Sequence, residues 1–149
     1  MLQIYSNFFN EEEFNRIIGT LDRNILNDVQ NTVNVKSCPA RPFNVRNKIS
    51  QFGEIAFQEI LIYYTGGISY PHIDGFSYGG GKSWKKTAIL ICNEEYTGGD
   101  LYFPKLEAKF KLPKNTLVVF PAGQDSHLFE HGVSEVLSGE RITAIFRFV

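Results

Sequence analysis

From residue 56 onward the chain alternates apolar and polar positions in short runs broken by Gly, Pro and Asn, the period-two pattern of half-buried β-strands. Eight runs fit it: 56–64, 70–74, 87–92, 100–103, 109–112, 116–120, 132–136 and 141–148. The last is the most regular. Ile142, Ala144, Phe146 and Phe148 fall on one side, and Arg141, Thr143, Ile145 and Arg147 on the other. The start of the chain has a different period. Phe14, Ile17, Ile18 and Leu21 recur at helical spacing behind Asn10, a good N-cap, while Glu11, Glu12 and Glu13 complement the positive helix end. Phe9 before the cap and Phe14 within the helix form the two halves of a hydrophobic staple. Residues 24–46 have mixed polarity and two prolines, and read as loops with at most one edge strand. No repeat, low-complexity tract or linker interrupts the pattern. The expectation is one domain over 1–149, with 1–55 as helical and irregular support and 56–149 as a mainly β core. Eight strands of this kind suit a jelly roll, or double-stranded β-helix, buttressed by the N-terminal helix.

Composition narrows the class. A chain of 149 residues with 43% hydrophobic residues can bury a substantial single core. The net charge of -1, with Lys and Arg scattered, lacks the electrostatic footprint of a duplex nucleic-acid binder. Two cysteines, Cys38 and Cys92, are too few for a disulfide framework and wrongly spaced for a zinc site. Cys92, in the run Ala88-Ile89-Leu90-Ile91-Cys92, reads as a core residue. Met1 to Ser6 lacks the basic and apolar regions of a signal peptide, and no apolar stretch reaches membrane-spanning length. A cytoplasmic location and no membrane partner are the expectation.

The chemistry concentrates in three places. In an extended segment residues i and i+2 point to one side, so His72-Ile73-Asp74 aims an imidazole and a carboxylate at one point. A second histidine from a distant segment, His127 or His131, would complete a set of two histidines and one carboxylate. Such a set occupies one face of a divalent iron and leaves other positions open. Arg141 adds a fixed cation for an acidic cosubstrate, and Thr143, two residues on, adds a hydroxyl on the same face. His127 lies in the polar turn Gly123-Gln124-Asp125-Ser126, whereas His131 leads directly into an apolar alternating strand.

Around these residues stand Tyr63-Tyr64-Thr65-Gly66-Gly67-Ile68-Ser69-Tyr70-Pro71-His72-Ile73-Asp74, then Gly98-Gly99-Asp100-Leu101-Tyr102-Phe103-Pro104 and Val119-Phe120-Pro121. The closing block is His131-Gly132-Val133-Ser134-Glu135-Val136-Leu137-Ser138-Gly139-Glu140-Arg141. From about residue 60 to the end the chain resembles the 2-oxoglutarate- and Fe(II)-dependent dioxygenases, in particular the prolyl-4-hydroxylase-like branch. There Tyr-x-x-Gly precedes H-x-D, a Gly-Gly-acid-aliphatic strand follows, and H-x-V-x-x-V-x-x-G-x-R closes the motif. The resemblance implies Fe(2+) held by His72, Asp74 and His131, with 2-oxoglutarate and O2 as cosubstrates and ascorbate as a candidate auxiliary reductant. It also implies that Arg141 binds the far carboxylate of 2-oxoglutarate, with Thr143 as helper. Tyr63 matches the family tyrosine whose hydroxyl contacts that carboxylate, although an ordinary strand aromatic with a surface hydroxyl explains it equally. Asp74 argues for hydroxylation, because related halogenases carry a small residue there to admit chloride.

Three further residues are candidates for substrate contact: Tyr70, on the expected face of His72 and Asp74; Trp84, beside the glycines of 79–81; and Arg147. The glycine-rich segment suggests a lid over the site more than an anion cradle. Arg147 stands where the family commonly has Trp, and reads either as a terminal arginine snorkelling to solvent or as a cation in the mouth that favours an acidic substrate. The connection from the helix to the first barrel strand is shorter than in larger relatives. The expected activity is hydroxylation of a prolyl residue in a protein or peptide, with a free amino acid or other small metabolite as the alternative substrate. Nucleic acid is not expected as a partner, given the charge balance. From another class, a non-catalytic jelly-roll binding module would need neither the triad nor Arg141.

Overall fold

The structure, a computed structural model, describes residues 1–39, 46–75, 84–123 and 125–149. The glycine-rich lid expected around 79–81 lies outside the described residues. In chain order the elements are β1 (Gln3–Tyr5), α1 (Glu11–Ile18), β2 (Asn27–Asp28), β3 (Thr32–Pro39), α2 (Arg46–Ile49), β4 (Ile55–His72), β5 (Lys86–Ile91), β6 (Tyr96–Gly98), β7 (Leu101–Phe103), β8 (Ala108–Phe110), β9 (Leu117–Pro121), β10 (His131–Val133), β11 (Val136–Gly139) and β12 (Arg141–Phe148). The fold is mainly β, a curled antiparallel sheet in the order β1-β9-β5-β12-β4-β10-β7-β8, with β3 added to β4 and a small β11-β6 sheet.

The alternation along β12 divides the interior in two. Ala144, Phe146 and Phe148 pack with Phe9, Phe14 and Ile17, so the outer face of the sheet is covered by α1. Ile145 faces the other way, into a second cluster with Ile89, Ile91, Phe103 and Phe120 between the curled halves. The helix forms where its signals place it: Asn10 accepts from Glu13 N at 2.8 Å and Glu13 accepts from Asn10 N at 3.0 Å, a reciprocal capping box. Phe9 and Phe14, the expected staple pair, are both buried in that outer cluster.

Several elements depart from the sequence pattern. The runs 56–64 and 70–74 are one strand, β4, which continues through Gly66 and Gly67 instead of stopping there. Its register against β3 jumps between Val33↔Ile68 and Val35↔Tyr63, so the glycines mark a bulge, not a turn. Gly66 has φ 85, a conformation that a side chain would strain. Residues 24–46, read as loops with at most one edge strand, include two strands, the short β2 and the eight-residue β3, which pairs with β4 along one edge and with β2 along the other. Its apolar signal is weak because only Val35 and Cys38 are buried. β1 was not foreseen; three residues pairing with β9 are too few to show a period. The expected strand 132–136 ends at Val133, and a new strand, β11, starts at Val136 and pairs with β6. Residues 1–55 thus supply strands to the sheet as well as the helix.

Candidate active site

β4 and β12 run antiparallel as neighbours, and directly paired residues project to one face. The pairs Tyr63/Arg141, Leu61/Thr143, Glu59/Ile145 and Phe57/Arg147 therefore form a floor, and all eight line a cavity of about 380 Å³. The cavity also receives His72, Asp74 and His131. Its size is within the usual range for small-ligand sites, about 300–1,000 Å³.

His72 ends β4 and His131 opens β10, and the two are directly paired across the strands. Their rings lie 4.5 Å apart. Asp74 follows two residues after His72, in the turn beyond the strand end and not within an extended segment as the spacing suggested. That turn is held by Gly123 N, which donates to the Asp74 carbonyl at 2.8 Å. Gly123 has φ 94, and a Cβ there would lie 2.6 Å from the Trp84 carbonyl, so only glycine permits this approach. Asp74 Oδ1 is 3.2 Å from His72 Nε2, and Oδ2 is 3.7 Å from His131 Nε2. Three ligand atoms, one from each residue, all lie within 4.8 Å of one another.

The protonation pattern is set by what surrounds the rings. His72 Nδ1 contacts the Tyr70 carbonyl at 2.8 Å and His131 Nδ1 contacts the Phe129 carbonyl at 2.9 Å. A carbonyl can only accept, so both Nδ1 atoms carry a proton, and in its neutral form each ring presents an Nε2 lone pair to the centre. Burial lowers the His131 pKa to about 4 against the pull of Asp74, so this ring is neutral near pH 7. Burial also opposes the charged form of His72, but the Asp74 hydrogen bond and charge outweigh it and raise the pKa. Burial would raise Asp74 as well; the charge of Arg147, joined in acid by the protonated His131 and His72, overcomes it and holds the carboxyl far below its ordinary range. Thr87 Oγ1 donates to Asp74 Oδ2 at 2.7 Å and fixes the carboxylate plane. Phe103 and Phe120 flank the His131 ring, at 5.7 Å and 4.7 Å between centroids, and form a dry wall.

At one end of the floor Arg141 is 2% exposed, yet its Nε has no hydrogen-bond partner among the described residues. Its guanidinium lies 4.9 Å from the Tyr63 ring centroid. Thr143 Oγ1 is likewise buried without a partner. Orphaned buried donors are costly, and a cation and a hydroxyl turned to one cavity end fit a carboxylate that would satisfy both. Tyr63 is buried, so its hydroxyl is not at the surface; burial raises its pKa, against the charge of Arg141. With two imidazoles and a carboxylate at the centre, the donor set suits a divalent iron with open positions.

The remaining expectations divide. His127 is exposed on a short 3₁₀ turn, outside the cavity. Trp84 lines the cavity and stacks on Phe57, at 6.1 Å and 22°. Arg147 does not snorkel: its side chain is 13% exposed, with Nη2 at 3.4 Å from Asp74 Oδ1. Tyr70 is a correction. It is 47% exposed and absent from the cavity lining, where Ser69 and His72 both appear. With His131 opposite His72 and Val133 opposite Ser69, β4 carries an extra residue there, and the bulge breaks the i, i+2 phase that placed Tyr70 inward. Thr87 and Glu59 were not singled out from the sequence. Each is a polar residue inside a strongly apolar strand, which was a usable signal.

The model of a family described as "2OG-Fe(II) oxygenase superfamily" matches residues 59–148, a span that holds the triad, β12 and all of the floor but Phe57. No curated protein matches the chain by sequence. Among solved structures, the chain is similar to the viral collagen prolyl hydroxylase of Paramecium Bursaria Chlorella virus-1 in its 2OG complex, with TM-score 0.77 and 21% identity over 99% of this chain and 96% of that one. A Pseudomonas putida prolyl-4-hydroxylase is similar at TM-score 0.65 and 18% identity, covering 99% and 92%. A Trichoplax adhaerens prolyl hydroxylase, in complex with a hypoxia inducible factor oxygen degradation domain peptide fragment, is similar at TM-score 0.69 and 15% identity, covering 99% and 83%. The fold, a double-stranded β-helix, is the one these neighbours share. With the family match over the segment that carries the triad, the chain belongs to the 2OG-Fe(II) oxygenase superfamily, as a dioxygenase with the fold of the prolyl hydroxylases.

Proposed function

We propose that this chain is an Fe(II)- and 2-oxoglutarate-dependent hydroxylase acting on a prolyl residue of a protein or peptide. The observation that carries the reading is one cavity holding both His72, Asp74 and His131 at ligand spacing and the unpartnered Arg141 Nε and Thr143 Oγ1. Iron with 2-oxoglutarate and O2 supplies hydroxylation of an unactivated C–H bond, coupled to conversion of the oxo acid to succinate and CO2.

The chain's own residues hold and orient. His72 and His131 offer Nε2 because their Nδ1 protons are committed to backbone carbonyls. Asp74 stays ionised, and Thr87 keeps it in plane. Arg141 and Thr143 would take the far carboxylate of 2-oxoglutarate, with Tyr63 beside them. Phe103 and Phe120 exclude water from the His131 side. The peptide-bound Trichoplax neighbour and the two other prolyl hydroxylases support a peptidyl substrate.

The test is an anaerobic titration of Fe(II) and then 2-oxoglutarate, followed by succinate assays against proline-containing peptides and free amino acids. Stoichiometric binding of both, with peptide-dependent succinate, is the expected result. A protein that binds neither would be a jelly-roll binding module instead, and succinate released only with free amino acids would move the substrate to small metabolites.

A further inference from the structure

The cavity floor has two cations, and 2-oxoglutarate accounts for one. Arg141 and Arg147 lie on the same face of β12, six residues apart, so their Cα atoms are about 20 Å apart at a rise of roughly 3.4 Å per residue. A five-carbon diacid anchored on Arg141 and reaching towards the triad leaves uncovered the end of the floor at Phe57 and Trp84, from which the Arg147 guanidinium reaches back to Asp74. That end is built differently. Arg147 is paired with Phe57 across the strands, and its guanidinium lies 5.2 Å from the Trp84 ring centroid, while Trp84 stacks on Phe57. Two aromatic rings thus set the position of the cation and shield it from solvent.

The guanidinium has more donors than its neighbours fill. Nη2 reaches Asp74 Oδ1 at a long 3.4 Å, and Nε and Nη1 are buried without hydrogen-bond partners among the described residues. Glu59 is the acid on the floor and feels the charge of Arg147, but no ion pair joins the two among the described residues. A divalent cation held by Asp74 would also take up much of the charge that Arg147 now faces. Arg147 is then a nearly buried cation, beside the reacting centre, in need of an anion.

On the proposed hydroxylase reading, we propose that Arg147, backed by Trp84 and Phe57, docks a carboxylate carried by the substrate. The carboxylate comes either from the α-carboxylate of a free amino acid or from an acidic side chain flanking the target residue. Arg147 is a specificity-determining residue in this role, in addition to its contact with Asp74.

Trp84 is the one tryptophan in the chain, so its fluorescence reports on this subsite directly. The protein is loaded with Fe(II) and 2-oxoglutarate without oxygen, and two matched pairs of probes are titrated. One pair is a blocked peptide with a single proline flanked by Glu or by Gln; the other is L-proline and L-prolinamide. In the parent protein the acid of at least one pair binds at least about tenfold more tightly than its amide and shifts Trp84 emission, a modest share of what a lost buried charge pair costs. The pair that discriminates identifies the source of the carboxylate. Arg147→Gln brings the ratio close to one while the amide of that pair binds as it does to the parent, and Arg147→Lys keeps part of the preference; Fe(II) and 2-oxoglutarate affinities, measured alongside, report the Asp74 contact separately, and melting curves establish that both variants are folded. Equal or undetectable binding across both pairs overturns the proposal, as does a preference that survives Arg147→Gln. So does a parallel loss of metal affinity and of both acid and amide binding, which would make Arg147 a residue that only positions Asp74. A parent protein that binds neither metal nor 2-oxoglutarate sinks the hydroxylase reading itself, a result distinct from normal loading without charge preference.

Discussion

Replacing Arg141 by Met should stabilise the metal-free protein while destroying cosubstrate binding. The guanidinium is 2% exposed, forms no ion pair among the described residues, and leaves Nε without a hydrogen bond. Its compensation is the Tyr63 ring at 4.9 Å, a contact that contributes up to about 2 kcal/mol when desolvated. Replacing buried charged groups by apolar groups of similar volume stabilises by about 1–4 kcal/mol in measured cases, and Met has the flexibility to refill the space left by the arginine stem. With mid-range values, about 2.5 kcal/mol gained and about 1 kcal/mol lost with the ring contact, a net gain of about 1–2 kcal/mol is expected. For a chain of this length that is a rise in Tm of roughly 2–8 °C, at about 2–4 °C per kcal/mol. Thermal unfolding with a chelator present and 2-oxoglutarate absent measures this. Calorimetry with metal then reads the functional side: loss of one partner from a buried charge pair costs about 2–5 kcal/mol, so 2-oxoglutarate should bind at least roughly 30-fold more weakly. With saturating metal and 2-oxoglutarate the order of stability should reverse, because the ligand stabilises the parent alone. A fall in the metal-free Tm of the variant refutes the burial argument. Unchanged 2-oxoglutarate binding refutes the role given to Arg141.

Three other outcomes are expected. His72→Ala, Asp74→Ala and His131→Ala should each abolish Fe(II) binding and succinate release, whereas His127→Ala, altering an exposed turn, should retain most of both; a dead His127 variant beside an active His131 variant would reverse the assignment. Gly99→Ala should weaken 2-oxoglutarate binding without touching the triad, since φ is 64 there and a Cβ would lie 3.1 Å from Arg141 Cδ; a destabilisation of about 1–3 kcal/mol in denaturant melts should accompany it. Burial pushes the Cys92 thiol up to about 12, so at pH 8 it is protonated and enclosed, and alkylation should proceed only after unfolding; rapid labelling of native Cys92 by mass spectrometry would contradict its place in the core.

The grouping of His72, Asp74, His131 and Arg141 was expected from the family motif, and local rules carry only part of it: the spacing of His72 and Asp74 suggested an extended segment, whereas Asp74 lies in a turn held by Gly123. His131, Gly132 and Val133 fall in one short strand, and β12 keeps strict alternation over its eight residues, so the faces of Arg141, Thr143, Ile145 and Arg147 follow from counting by two. The helix with its capping box is equally local, decided by Asn10 and Glu13 three positions apart. Counting by two fails where a strand carries an extra residue. The bulge between Ser69 and His72 turns Tyr70 outward, and the one at Gly66 keeps β4 a single strand; both are imposed by pairing partners far away in the chain. Tertiary structure alone decided what Arg147 does. Alternation placed it on the cavity face, but whether its long side chain ran to solvent or to Asp74 depended on Trp84 and Phe57 closing over it, from two other segments. It also decided Thr87 and Glu59, whose polarity was visible in sequence while the groups they face, Asp74 and Arg147, came near only when β5, β4 and β12 paired. Local periodicity is written residue by residue, whereas register between distant strands is a property of the assembled sheet, and the substrate end of this cavity depends on register.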